Sequence, residues 1–330
     1  MLDTLIQTNP NQKDHTTMHT TRWRAPLALA LALALTGAAC GSDDEPTETG
    51  GSEDTEAIEG ETIRFAPQQF AESETLTEVY AQYLEAKGFD VEVQPSSGFR
   101  DIVYPGLTNG DLDVIIDYAG SAASFLEATA SDDADETYEA LTSALEGEGL
   151  VAYEDSEAED ANAVVALKSW AEDNDVTTIS DLKDVEGGVT LGASEDCRER
   201  ENCLIGFEDP EIYGLTFEAF TALEYGPPLT AALEADEVQV AYYQTTAPDI
   251  ASGKFVVLED DKGLLASDNI VPVLRKEVAD AYGDVLADAM NELSALITTE
   301  DLIDWNVSTD IDKEESADVA TAWLESKDLL

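Results

Sequence analysis

The 330 residues carry 72 Asp and Glu against 16 Lys and Arg, a formal net charge of -56 at pH 7, and only two histidines. Such a surface repels nucleic acid and anionic headgroups, which excludes nucleic-acid binding as a function class. The acids are interspersed with apolar residues rather than gathered in a tail, the pattern of a solvated acidic surface suited to high salt, and a halophilic or haloalkaliphilic source is expected on composition.

Arg22 and Arg24 precede an apolar run from Pro26 to Leu35, which leads into Thr36-Gly37-Ala38-Ala39-Cys40. This order is a charged segment, a short hydrophobic segment and a small-residue cleavage site, so residues 1–39 are expected to be a signal peptide, with residues 1–17 a mis-called start before Met18. The apolar run is about half what a membrane-spanning helix needs. Residues 40–60 are mostly Gly, Ser, Thr, Asp, Glu and Pro, with Ile58 almost the only large apolar residue, and read as a flexible acidic tether. What remains, roughly 270 residues, fits two lobes of ordinary core size.

Thr62–Ala66 reads as a strand, Glu74–Lys87 as an amphipathic helix stopped by Gly88, and Asp90–Gln94 as a strand of alternating polarity. Phe99–Leu107 reads as a helix, Asn109-Gly110 as a turn and Leu112–Tyr118 as a strand. A second series runs through Asn162–Leu167, Ile179–Leu182, Val189–Gly192, Leu229–Leu233 and Val238–Tyr243, with Gly187-Gly188 as a turn. The predicted fold class is α/β: two lobes, each a mixed sheet flanked by helices. In such sheets ligands sit beyond the carboxyl ends of the strands, so two facing lobes make a cleft.

His15 and His19 both precede Cys40, which leaves the exported part without histidine and removes Ser-His, Cys-His and His-metal arrangements. Glycine-rich phosphate loops of standard spacing are also missing. No catalytic residue, cofactor or metal is expected, and the chain reads as a binding protein rather than an enzyme. Cys197 and Cys203, separated by five residues in an exported chain, are expected to form a local disulfide, since a thiolate metal site would find no further Cys or His to complete it.

Six segments occur in an order that resembles one family: Gln68-Gln69-Phe70-Ala71-Glu72, Asn109–Val114 leading to Asp117-Tyr118-Ala119-Gly120-Ser121, Ile179–Leu182, Tyr213-Gly214-Leu215, Leu258–Lys262 and Val271–Arg275. The chain from Glu61 to Leu330 resembles the glycine betaine/choline-type substrate-binding proteins of osmoprotectant ABC importers. Cys40 after small residues likewise resembles a lipobox, which implies a diacylated cysteine, although Gly37 departs from the usual leucine. The resemblance implies a Venus-flytrap of type II periplasmic-binding-protein class, with crossings near residues 155–162 and 266–272. Residues 61–157 plus 269–330 would form lobe I and residues 158–268 lobe II.

By that resemblance, Tyr118 falls on a cage tyrosine that holds a quaternary ammonium by cation-π attraction. Ser121 falls on a polar position three residues on, Gln68 on the polar position after the first strand, and Arg200 on a carboxylate-binding arginine, with Arg198 as its competitor. The other cage positions fall on Val164, Gln244 and Asp268, none of them aromatic, and Asn162 is a further candidate. Tyr104, Tyr242 or Tyr243 is left to supply an aromatic, at most one of the last two, because strand alternation points them to opposite sides.

The expected function is capture of an osmoprotectant such as glycine betaine or choline by hinge closure, for delivery to an ABC permease and its ATPase. The expected protein is a monomer, anchored by lipid at the outer face of the cytoplasmic membrane or held in the periplasm. The rival readings are another solute, such as an ectoine, a polyamine or an amino-acid derivative, and a ligand-sensing lipoprotein without transport.

Overall fold

The computed structural model describes residues 58, 60–96 and 98–330. The signal segment, Cys40 and most of the expected tether lie outside the described residues, but Ile58 packs against the first core and its N–H donates to Gly88 O at 2.9 Å.

Strand β1 (Ile63–Phe65) buries its two outer side chains and is followed by α1 (Ala71–Ala86). That helix buries Leu76, Val79, Tyr80, Tyr83 and Leu84, a spacing that puts one apolar stripe on the sheet. After β2 (Val91–Val93) comes α2 (Arg100–Asn109), which ends at Gly110 with φ +80, where an added Cβ would collide with the Arg275 guanidinium. Strand β3 (Val114–Tyr118) is buried throughout, and α3 (Ala119–Phe125), α4 (Ala134–Glu148) and β4 (Leu150–Ala152) complete this half.

Residues 153–161 cross to a second sheet built from β5 (Asn162–Leu167), β6 (Thr190–Ala193), β7 (Ala219–Ala222), β8 (Val240–Gln244) and β9 (Phe255–Leu258). Helices α5 (Lys168–Asp173), α6 (Gly206–Glu208) and α7 (Pro227–Glu234) lie between these strands, and Ile179–Leu182 falls in a short 3-10 turn. Residues 259–269 cross back into β10 (Ile270–Arg275), which is followed by α8 (Lys276–Tyr282), α9 (Asp284–Ser294), α10 (Thr299–Asn306) and α11 (Ser316–Ser326). Among the described residues, no helix is long and apolar enough to cross a membrane.

The two sheets share one plan. The first has the order β2-β1-β3-β10-β4 and the second β7-β6-β8-β5-β9. In each, four strands run the same way and the fifth, β10 or β5, lies between the central strand and an edge strand and runs antiparallel to both. Both sheets are covered on both faces. Tyr80, Tyr83 and Trp305 pack on one face of the first sheet, and Tyr104, Leu141 and Leu145 on the other. In the second, Tyr242 joins the core around Phe207 while Tyr243 joins the core around Leu233, as the period-2 alternation of β8 requires. A Cys197–Cys203 disulfide lies in the loop after β6.

Two features fix the frame. The buried Asp113 takes Arg64 Nε at 2.8 Å and Nη2 at 2.9 Å, with Arg275 Nε at 3.3 Å, and so ties β1, β3 and β10 at the end of the first sheet away from the crossings. The crossings themselves are laced: Asp160 N–H donates to Asp268 O at 3.1 Å, Ile270 N–H to Ala158 O at 3.0 Å and Asn269 Nδ2 to Ser156 O at 2.9 Å.

Candidate functional site

A cavity of about 440 Å³ lies where the carboxyl ends of strands from both sheets meet the crossings. From the first sheet, the segment after β1 supplies Gln68, Phe70 and Glu72, the start of α2 supplies Phe99 and Arg100, and the end of β3 with α3 supplies Tyr118 and Ser121. Asn306 and Asp310 come from the end of α10 and the turn after it. From the second sheet come Tyr225, Gln244 and Thr246, and from the crossings Asp160 and Asp268.

The wall of the first sheet is organised by Asp117, which is fully buried. Its carboxylate accepts from Arg100 Nη2 at 2.6 Å and Nε at 3.2 Å, Gln68 Nε2 at 3.0 Å, the Tyr104 hydroxyl at 3.1 Å and Tyr118 N–H at 2.9 Å. A buried carboxylate is tolerated because so many donors meet it. One residue thereby holds two cavity side chains, Gln68 and Arg100, and the Arg100 guanidinium stands 6.0 Å from the Tyr118 ring centre. The Phe70 ring stacks at 6.5 Å on Phe99 and lies 6.0 Å from Tyr118, so three aromatic faces line one side, with Tyr225 on the jaw opposite.

Three carboxylates in this wall meet neutral donors. Glu72 accepts from the Tyr118 hydroxyl at 2.7 Å and from Asn306 Nδ2. Asp160 accepts from Thr246 Oγ1 at 2.7 Å and Gln244 Nε2 at 3.1 Å. Asp268 accepts from Ser121 N–H at 2.8 Å and Ser121 Oγ at 2.5 Å. Gly120 permits that approach, since a Cβ there would strike Ser267 O. Burial pushes the Asp268 carboxyl up to about 6 against the opposing pull of the Ser121 hydrogen bonds. Glu72 and Asp160 are raised too, first by burial, and for Asp160 next by the charge of Glu72.

Of the residues singled out by sequence, the structure brings Gln68, Tyr118, Ser121, Gln244 and Asp268 together around this cavity. It does not bring Asn162, Val164 or Arg200 there. Val164 is 1% exposed and faces the Phe207 core, because its neighbours on the strand turn the other way. Asn162 opens β5 opposite Gln244, and its side chain is not part of the cavity wall. Arg200 sits half-exposed beside Asp196 at 3.6 Å and over the Tyr242 ring at 5.3 Å, held by a loop whose disulfide faces the second core. Its competitor Arg198 lies over Phe220 at 4.0 Å and is likewise outside the wall. Tyr104 touches the site only through Asp117, and neither Tyr242 nor Tyr243 lines it.

Sequence reasoning missed Phe70, Phe99, Arg100, Tyr225, Asp160, Glu72 and Asn306. One signal was available for Phe99-Arg100: an aromatic and a basic residue together at a helix start, just past the carboxyl end of a strand. Tyr225 and Asn306 have no such local mark.

Comparison with known proteins identifies the family and the fold. Residues 61–326 match the family model described as the substrate binding domain of ABC-type glycine betaine transport system. The chain is 26% identical over 289 residues to a glycine-betaine-binding protein of Pseudomonas aeruginosa, covering 82% of this chain and 90% of that one. It is 25% identical over 274 residues to a glycine betaine-binding protein of Escherichia coli, covering 78% and 87%. A crystal structure titled as a glycine betaine/carnitine/choline ABC transporter superposes with a TM-score of 0.73 at 21% identity, covering 81% of this chain and 99% of that one. The fold is thus that of the type II periplasmic binding proteins, and the chain belongs to the family of substrate-binding domains of ABC-type glycine betaine transport systems.

Proposed function

We propose that this protein is the extracytoplasmic solute-binding component of an ABC importer, which captures a quaternary ammonium osmoprotectant between two lobes and presents it to a membrane permease driven by an ATPase. The lobes are residues 61–157 with 269–330, and residues 158–268. The observation that carries the reading is a cleft walled by Phe70, Phe99, Tyr118 and Tyr225 together with four carboxylates, Glu72, Asp160, Asp268 and Asp310. Aromatic faces and fixed negative charge both attract an alkylammonium that is too bulky to be well hydrated. Ligand held by both walls stabilises the closed form, and no bond-making step is required of any residue.

The remaining parts of the reading are that the protein acts as a monomer, is exported, and is held at the membrane by a lipid on Cys40. Replacing that residue in Cys40→Ala should release the protein into the soluble fraction of its host.

Calorimetric titration at high salt against glycine betaine, choline, carnitine, proline betaine, ectoine and putrescine tests the ligand class. Tight binding of a quaternary ammonium, accompanied by a rise in melting temperature, supports the proposal. Binding of ectoine or putrescine alone would replace the ligand class, and silence from all six would remove the transport reading.

A further inference from the structure

Among the described residues that line the cavity, Glu72, Asp160, Asp268 and Asp310 carry carboxyl groups and Arg100 carries the one positive charge. The Arg100 guanidinium is already matched by Asp117 at 2.6 Å. Glu72, Asp160 and Asp268 are buried, and their hydrogen bonds come from hydroxyls, side-chain amides and backbone N–H groups, none of which brings a charge.

The three acids are also packed against one another. Thr246 Oγ1 donates to Asp160 at 2.7 Å and stands beside Glu72 as well. A hydroxyl has one proton to give, so it can hydrogen-bond to two carboxyl groups only if one of them brings a proton of its own. Asp268 adjoins Asp160 across the paired crossings, where Asp160 N–H donates to Asp268 O at 3.1 Å. The other charged or titratable groups facing the three are Asp310 and Tyr118 on the Glu72 side, Tyr225 beside Asp160, and Arg100 with Asp117 beside Asp268. Burial raises both tyrosines, which stay neutral.

Like charges in a water-poor wall cannot all ionise together unless a positive charge joins them. We propose that the empty cleft holds a proton on the Glu72, Asp160 and Asp268 cluster, and that an entering quaternary ammonium displaces it, so that capture exchanges one cation for another. The proton leaves to solvent, and the net charge of the loaded site equals that of the empty one. The ligand acts on the cluster through its field, without touching each carboxyl. The inference rests on the proposed function, which supplies the cationic ligand. Burial raises all three carboxyls, Asp268 to about 6, and the charge of Glu72 raises Asp160 further, in agreement with a retained proton. The sign follows: a bound cation favours the ionised forms, so affinity rises as pH climbs through the values of the empty cleft and levels off above them.

Calorimetric titration of the whole protein with choline and with glycine betaine, in phosphate and in imidazole at about pH 6.5, tests the exchange. Neither ligand titrates near this pH, so a proton that appears on binding comes from the protein. The two buffers differ in their heat of ionisation, and the measured heats should differ by the amount for about one proton released per ligand bound. Affinity should rise roughly tenfold from about pH 5 to about pH 7. In Asp160→Asn and in Asp268→Asn, fewer protons should be released and the pH profile should flatten. Equal heats in the two buffers with an affinity independent of pH, or a release that both variants retain in full, overturns the inference and leaves the proposed function standing. If neither ligand binds at any pH, the inference falls together with the quaternary ammonium reading. The buffer comparison on the unaltered protein decides the matter even if the variants do not fold.

Discussion

The two walls of the cleft are built differently although they belong to sheets of the same plan. The wall of the first sheet is a hydrogen-bonded block: Asp117 at its centre, Gln68, Arg100 and Tyr118 fixed around it, and Phe70 stacked on Phe99. The wall of the second sheet offers Tyr225, 49% exposed, and a few side chains next to the crossing. Preorganised groups lose little freedom on binding, whereas an exposed ring must be ordered by it. On the proposed reading, the first wall is thus the template that selects the ligand, and the second is the jaw that closes on it.

The largest effect should follow from taking the template apart. Asp117→Ala leaves the Arg100 guanidinium largely buried without its partner and releases Gln68 and Tyr104, so urea unfolding should show a loss of about 3–5 kcal/mol. A stability change under about 1 kcal/mol, as for an exposed pair, would deny Asp117 that role.

Next comes the titration of Asp268. Its carboxyl is raised from 3.8 to about 6, so the folded protein holds a proton that the unfolded chain has released. The sign follows: this contribution favours the fold below about pH 4, is lost as pH climbs through about 6, and amounts to roughly 3 kcal/mol over that interval. Asp268→Asn should remove that slope from melting curves recorded between pH 4 and 7. An unchanged slope would place its origin elsewhere.

Tyr118→Ala should weaken a quaternary ammonium about thirtyfold, the loss of a desolvated cation-π contact of about 2 kcal/mol, measured by titration. Tyr225→Ala, on the exposed jaw, should cost about threefold. Arg200→Ala should change affinity by less than about twofold, because Arg200 is turned to Asp196 and Tyr242 rather than to the cavity. If Tyr225→Ala proves as damaging as Tyr118→Ala, the contrast between template and jaw collapses.

Which of these parts could be read in the sequence follows from how each is encoded. Strands β1, β3, β5 and β8 announce themselves by alternation or by apolar runs ended by turn residues, whereas Gln68, Tyr118 and Gln244, which stand at or just past the ends of such strands, are named through the family resemblance. Asp268 enters only through the family resemblance, which puts a cage position there, and no local pattern marks it. Val164 and Arg200 lie away from the cavity, which position along the chain does not reveal: strand alternation turns Val164 to the Phe207 core and its neighbours Ala163 and Val165 to the Leu233 core, and Arg200 is turned to Asp196 and Tyr242. Phe70, Phe99, Tyr225 and Asn306 meet only through tertiary packing, Asn306 from more than two hundred residues beyond its partner Glu72. A chain with so many acids also conceals its meaningful carboxylates: Asp117 and Asp160 look like any others until burial singles them out.

Asp160 and Asp268 stand on the paired crossings and in the cavity wall at once. On the proposed reading, the axle on which the lobes turn is therefore also part of the sensing surface, so a substitution there alters what is recognised and how stiffly the molecule bends in the same stroke. Anyone recasting this scaffold as a fluorescent reporter for a new solute would do better to vary the jaw around Tyr225 and leave the axle untouched, so that selectivity can be changed without resetting the resting angle.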